Sequence, residues 1–269
     1  MNTKECIEAL ERMVPLKLAG DWDNVGLLIE GPIDRTIRRV ILTIDYTEAV
    51  LAEAVENNVD LVIAYHPPIF GGVKRLTRSN ASTRLLLETI EAGLSVWSPH
   101  TALDAMEAGV CDWLASLLGP SKKSKPIEPS QFDPELGAGR TVTLAEPVAL
   151  RDIHHRLTRA LGLEGLRVAQ PAAEGDTKLI RTIALCPGAG GSLFQSVHPR
   201  DLFLTGEMRH HDVLARVAQG SAVILTEHSN SERGFLTVFA QLISTQLGIE
   251  AIVSKSDTDP LSIFIPDAG

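Results

Sequence analysis

With 269 residues, 44% of them hydrophobic and 22% charged, the chain has an ordinary folded composition and enough length for two packed units. No apolar run reaches the roughly 18 residues that cross a bilayer, and the opening MNTKECIEALERM mixes charge into helical spacing, unlike a secretory leader. A net charge of −9 disfavours nucleic acid, while three separated cysteines, Cys6, Cys111 and Cys186, exclude a disulfide framework and point to a reducing, cytoplasmic compartment.

In chain order, DWDNVGLLI (21–29) places a polar turn before an apolar run, and solvent-exposed turn chemistry accounts for its acids. Near-continuous apolar runs follow at Arg39 to Asp45, Asp60 to Ala64, Gly93 to Trp97, Arg181 to Cys186, Asp201 to Leu204 and Ser221 to Leu225. Runs of this kind suit strands covered on both faces of a parallel sheet. Helical patterns fall between them, at Thr47 to Asn57, Ser82 to Ala92, Val110 to Leu118, His211 to Gln219 and Gly234 to Gln246. The expected fold is α/β: two similar units, each a mostly parallel sheet flanked by helices. The Pro/Gly/Lys/Ser-rich stretch from Gly119 to Gly139, with Lys122, Lys123 and Lys125, reads as a solvated linker. The expected division is a first unit over 1–125, a linker over 126–139 and a second unit over 140–269, with no extra middle domain.

The two units resemble each other. IRRVILTID (37–45) aligns with IRTIALCPG (180–188), DLVIAYHPP (60–68) with DLFLTGEMR (201–209), and EAGLSVWSPHTALDA (91–105) with AQGSAVILTEHSNSER (218–233). The third alignment keeps a histidine and an acid four residues on: His100 and Asp104, then His228 and Glu232.

Ligands in open α/β sheets bind beyond the carboxyl ends of the strands. Here those ends carry Asp45, His66, His100, Asp104, Glu207, His210, His211, Glu227, His228 and Glu232. Imidazole with carboxylate suits zinc, iron, manganese or nickel, and a carboxylate can bridge two such ions, as in many hydrolases. Each residue has a plainer reading. His66 could be a turn histidine bonded to backbone, His100 could cap its loop, and Asp104 could be a helix N-cap. Glu232 is harder to explain away, because a helix is expected from about Ser231 and a buried Glu needs a partner. His210 and His211 point in different directions, so at most one faces the site. His154 and His155 read as a solvated helix face. CPGAGGS (186–192) is a Gly-rich turn whose Gly188, Gly190 and Gly191 could cradle a phosphate, although a tight strand-to-helix turn explains it as well.

DWDNVGLLI, YHPPIF, SPHTALDAMEAGVCDWLA, LTGEMRHHDVL and EHSNSERGF, in that order from about Asp21 to Pro260, resemble the NIF-three-like family, also called GTP cyclohydrolase type two homologues. The resemblance implies a two-domain α/β protein, assembled as a homohexamer around an internal cavity. It also implies two divalent ions, held by a His-His pair, an Asp from H-T-x-x-D, and a His and Glu from H-x-x-x-E. Those positions fall on Tyr65 and His66, Asp104, His228 and Glu232. Tyr65 departs from the pattern, since a neutral phenol is a poor ligand. The expectation is therefore one or two ions on His66, Asp104, His228 and Glu232, with Glu232 and His100 in catalytic roles and Tyr65, Asp45, Glu207 and His211 standing behind the ligands. The function that follows is a metal-dependent hydrolase of a nucleotide or related heterocycle. The alternative is a metal-containing scaffold or regulatory protein that acts through a protein partner without catalysis.

Overall fold

The structure, a computed structural model, describes residues 1–32 and 34–262; the last seven residues of the expected second unit lie outside it. The first half contains α1 (Thr3–Met13), β1 (Gly26–Ile29), β2 (Arg39–Thr43), α2 (Glu48–Glu56), β3 (Leu61–Ala64), α3 (Ala81–Glu91) and β4 (Ser95–Ser98). Two short helices, α4 (His100–Ala105) and α5 (Val110–Ser116), come next. Then follow β5 (Ser121–Lys125), β6 (Glu128–Pro129), β7 (Gly137–Ala138), β8 (Arg140–Ala149), α6 (Leu150–Leu161) and β9 (Arg167–Ala169). The chain continues with β10 (Leu179–Cys186), β11 (Leu202–Thr205), α7 (His210–Ala218), β12 (Ala222–Leu225), α8 (Phe235–Leu247) and β13 (Glu250–Val253).

Two sheets carry the fold. The first runs β1-β4-β3-β2-β13, with β2, β3, β4 and β13 parallel and β1 antiparallel at one edge. The second runs β5-β8-β10-β11-β12-β9, with β10, β11 and β12 parallel at its centre and antiparallel strands outside them. The six apolar runs are the parallel central strands β2, β3, β4, β10, β11 and β12, and Ile41, Leu42, Val62, Ile183, Leu204 and Ile224 in them are fully buried. Each triplet has the same spatial order, so the internal repeat corresponds to two parallel β-β-β units in the same sequence of neighbours. The carboxyl ends of both triplets supply the site.

Strand pairing departs from the division at 125 and 140. β5 joins the second sheet, and β13, at the end of the chain, joins the first beside β2. α8 goes with β13: Phe235, Leu236, Phe239 and Ile243 sit in the same core as Leu42, Ile63 and Trp97 of the first sheet. α5 crosses the other way, placing Cys111, Leu114 and Leu118 in the core of the second sheet with Leu185 and Ile224. The expected linker is thus partly sheet. Lys122, Lys123 and Lys125 lie in an edge strand whose side chains all face solvent, a charged edge that discourages pairing with another chain. Residues 126–139 carry the small β6-β7 hairpin. Because the chain passes between sheets twice, the segment joining β12 to α8, which contains His228 and Glu232, lies between the two cores.

Candidate metal centre

The first arm of the site comes off β3. Past Ala64 the backbone keeps pairing with the β2 strand: Tyr65 donates to Thr43 and His66 to Ile44. This extended path sends Tyr65 into the core and His66 toward the cleft. His66 Nδ1 bonds Asp45 Oδ1 at 2.9 Å, not backbone, so the turn-histidine reading does not hold. A carboxylate only accepts, so Nδ1 carries the proton and the Nε2 lone pair is presented to the cleft. The bond to His66, with its charge, outweighs burial and holds the Asp45 carboxyl below the usual range.

The second arm repeats the device off β12. His228 Nδ1 bonds Glu207 Oε1 at 2.8 Å, again leaving Nε2 free. The His66 and His228 rings meet edge to face with centroids 5.2 Å apart. Between them lies Glu232, 3% exposed, with Oε2 3.5 Å from His66 Nε2 and Oε1 3.7 Å from His228 Nε2. Oε2 is buried and has no hydrogen-bond partner among the described residues. Burial, reinforced by the nearby charges of Asp104 and Asp45, pushes the Glu232 carboxyl well above its ordinary value. His66, His228 and Glu232 each offer a ligand atom, all within 4.8 Å of one another. Glu232 does not lie inside a helix, as expected from Ser231; it follows the short 3-10 turn Ser229–Ser231 and precedes α8.

The third arm behaves differently. His100 opens α4 with φ of 32°, a left-handed geometry that costs a histidine backbone energy and that the surroundings must enforce. Its Nδ1 bonds Asp23 Oδ1 at 2.7 Å, and Asp23 Oδ2 accepts from the Thr101 backbone and hydroxyl. Burial opposes ionisation of Asp23, but these donors outweigh it and hold its carboxyl below the usual value. Solvent-exposed turn chemistry does not hold for Asp23, whose side chain is fully buried. The reason is pairing: β1 runs antiparallel to β4 with Gly26 opposite Ser98, which brings the residues before β1 to the end of β4. His100 sits 5.4 Å from the His66 ring but outside the three-residue cluster.

Asp104 is not an N-cap. It lies late in α4, and the next helix is capped at Gly109 without a side chain. Its Oδ1 accepts the Tyr65 hydroxyl at 2.6 Å. Burial pushes the Asp104 carboxyl up to about 6, with the Tyr65 bond and neighbouring histidines acting against it. Burial, together with the charges of Asp104 and Glu232, pushes the Tyr65 phenol up too, so it stays a neutral donor. Cys111 and Cys186 line the same cleft, where burial raises both thiols, and neither belongs to the three-residue cluster.

The glycines of 186–192 have another use than phosphate. The Gly188 amide donates to Ser231 Oγ and the Gly190 amide to Thr205 Oγ1, so both are spent inside the protein. Gly188 has φ of +60°, and a Cβ there would come 2.6 Å from Glu232 Oε1 and 3.0 Å from His228 Nε2. The turn makes room for the site. His210 and His211 are exposed at the start of α7, away from the cluster. A further residue escaped sequence reasoning. Buried Asp257 accepts from the Ile44 backbone at 2.6 Å and pairs with Arg233, tying the residue before Asp45 to the residue after Glu232. Nothing in the local sequence marks it, since the contact spans more than two hundred residues.

This donor set fits a divalent cation. Two imidazoles, each oriented by a carboxylate, converge on a buried carboxylate, one at each oxygen, beside a cleft of about 790 Å³ that His228 and Glu232 line.

Comparison with known proteins gives a consistent result. The model of the family described as Duf34/NIF3 (NGG1p interacting factor 3) matches residues 1–260. The chain is 41% identical over 268 residues to the Protein NIF3 homolog of Schizosaccharomyces pombe, covering 95% of each. It is 36% identical to NGG1-interacting factor 3 of Saccharomyces cerevisiae, covering 96% of this chain and 95% of that one. Among solved structures, a hypothetical protein of Staphylococcus aureus superposes with TM-score 0.84 at 24% identity, over 98% of this chain and 99% of that one. Reduced HcgD from Methanocaldococcus jannaschii superposes with TM-score 0.81 at 24% identity, over 94% and 97%.

Proposed function

The chain belongs to the Duf34/NIF3 family, and from that premise we propose that it holds a divalent metal ion on His66, His228 and Glu232 and hydrolyses a nucleotide or related heterocycle. The observation that carries this reading is the buried Glu232 carboxylate set between two braced histidines: its Oε2, without a hydrogen-bond partner among the described residues, lies 3.5 Å from His66 Nε2, and its Oε1 lies 3.7 Å from His228 Nε2. An uncompensated buried carboxylate costs several kcal/mol, and a cation at this point offsets it. When bound, a divalent ion polarises a substrate oxygen and makes water nucleophilic near neutral pH.

The chain's own groups define the rest. Asp45 and Glu207 fix the histidine tautomers. Asp104, one oxygen of which is claimed by Tyr65, is the residue that would hold a further ion, so the proposed occupancy is one or two ions. His100, locked by Asp23, borders the same cleft and stands where it can pass a proton to a leaving group. Glu232 is both ligand and the acid that lies within 4 Å of both histidines, which places it in the catalytic role. Self-association into a hexamer belongs to the same proposal and is read by light scattering.

The test is to load purified protein with zinc, manganese or iron and assay nucleotides for hydrolysis, with Glu232→Gln and His228→Ala in parallel. Turnover that follows metal occupancy and disappears in both variants supports the proposal. Full occupancy without turnover of any nucleotide overturns the hydrolase and leaves the scaffold reading, in which a protein partner binds wild type and variants alike.

A further inference from the structure

Apolar rings on this surface are not scattered. Among the described residues the exposed aromatic side chains are Trp22 (66%), Phe70 (57%) and Phe132 (52%). Trp22 and Phe132 line the cleft that holds Glu232 and His228. Phe70 packs behind Trp22, with ring centroids 6.0 Å apart, and faces a separate outer hollow.

Trp22 is seated. Its indole lies over Gly20, where a Cβ would come 2.8 Å from Nε1, and it meets the braced His100 ring at a near-perpendicular angle with ring centroids 6.1 Å apart. Phe70 supports it from the far side, and Asn24 bonds the Ile69 carbonyl, joining the two loops. Exposed aromatics held this firmly by neighbours lose little freedom when something stacks on them. On Phe132 sits the ammonium of Lys17, 5.1 Å above the ring. Lys17 is the only lysine or arginine lining the cleft, in a chain of net charge −9.

From this juxtaposition we propose that Trp22 and Phe132 form an aromatic rim that stacks a planar heteroaromatic ring at the mouth of the metal cleft, with Lys17 meeting an anionic substituent of the same ligand. The inference rests on the metal-cleft reading above and adds how the ligand is selected. The cleft, at about 790 Å³, has the size of a small-molecule site. Every heteroaromatic ring has a π face, so stacking selects the class without reading its edge pattern. Phe70 acts through Trp22 as a positioning residue.

The experiment follows tryptophan emission and calorimetry on full-length protein with adenosine and guanosine 5′-monophosphates, the matching nucleosides and ribose 5-phosphate. Trp97 is buried and Trp113 half-buried, so surface quenching reports Trp22. The nucleotides are expected to quench, and ribose 5-phosphate to bind about tenfold more weakly or less. Trp22→Leu and Phe132→Leu are each expected to weaken nucleotide binding about tenfold, with Trp22→Leu abolishing the quench. Lys17→Met is expected to weaken the monophosphates and leave the nucleosides unchanged. Equal binding of ribose 5-phosphate, unchanged affinity in both leucine variants, or no binding of any probe at millimolar concentration overturns the proposal. So does a concentration-dependent shift of Trp22 emission without ligand response, which would assign the rim to a second copy of the chain. Metal content measured on the same samples separates the two proposals. Loss of metal with stacking retained breaks only the metal reading, and metal retained without stacking breaks only this one.

Discussion

His100 with Asp104 and His228 with Glu232 are the same motif at the same place in two repeats, yet the structure uses them in opposite ways. In the second repeat the acid is left bare between two imidazoles, and the histidine points its free nitrogen at it. In the first repeat Tyr65 takes an oxygen of the acid, and the histidine lies outside the cluster. The lesson is that a histidine-acid spacing sets where two groups can meet, while the donors around the acid decide whether it stays available to a cation. One phenol leaves Asp104 only its second oxygen to offer.

The largest expected break in this comparison is Glu232→Gln. It removes the bare carboxylate, and metal affinity is expected to fall at least about a hundredfold by calorimetry, as the central donor is lost. The metal-free variant is expected to melt at the same temperature as wild type or higher, because a penalised buried acid has gone. Lower stability with unchanged metal affinity would show Glu232 to be a packing residue.

Gly188→Ala tests the room made for that acid. The alanine meets Glu232 Oε1 and His228 Nε2 and must adopt φ of +60°, so a loss of about 2–3 kcal/mol in stability is expected together with weaker metal binding. A neutral result in urea unfolding would remove the crowding argument.

Next come the two orienting carboxylates. Asp45→Asn and Glu207→Gln are each expected to weaken metal about tenfold. The effect should be larger for Asp45, whose histidine is 23% exposed against 39% for His228. Equal affinities for both variants and wild type would mean the histidines need no bracing.

The smallest expected effect belongs to Tyr65→Phe. It leaves the Asp104 oxygen without its donor, at a cost of about 1–2 kcal/mol at neutral pH. Asp104 also gives a pH signature. Its carboxyl, ordinarily near 3.8, is pushed up to about 6, so the folded metal-free protein holds that proton more tightly than the unfolded chain does. The stability it contributes is full below its ordinary value and is lost as pH rises through about 6. Metal-free protein should therefore be more stable at about pH 5 than at about pH 7.5, by roughly 1.4 kcal/mol from this group. Asp104→Asn should flatten that slope and Tyr65→Phe should move it to higher pH. Differential scanning fluorimetry across this range reads all three, and an unchanged slope in Asp104→Asn would assign it elsewhere.

Much of the site was legible because parallel strands are apolar along their length and turn polar where they end. That contrast marked Asp45, His66, Glu207, His228 and Glu232, and the repeat added Asp104. What was not legible depended on pairing between distant segments. Asp23 reaches His100 only because β1 lies antiparallel on β4, and Asp257 reaches Ile44 only because β13 returns to the first sheet. Edge strands such as β1 and β13 are only partly buried, and a strand's own residues do not tell which distant strand it pairs with. The glycines of 186–192 leave two readings open for a related reason. A Gly-rich turn looks alike whether it opens toward a ligand or clears space for a neighbouring side chain, and only the spent amides of Gly188 and Gly190 distinguish the two.

The central claim is that Glu232 lies bare because a cation belongs beside it. Elemental analysis of the purified protein combined with an anomalous diffraction map tests this most directly. The account predicts a bound divalent ion with its anomalous peak in contact with Glu232 and with Nε2 of both His66 and His228. Metal-free protein that takes up no ion from zinc, manganese or iron, or a peak that avoids Glu232, would contradict it.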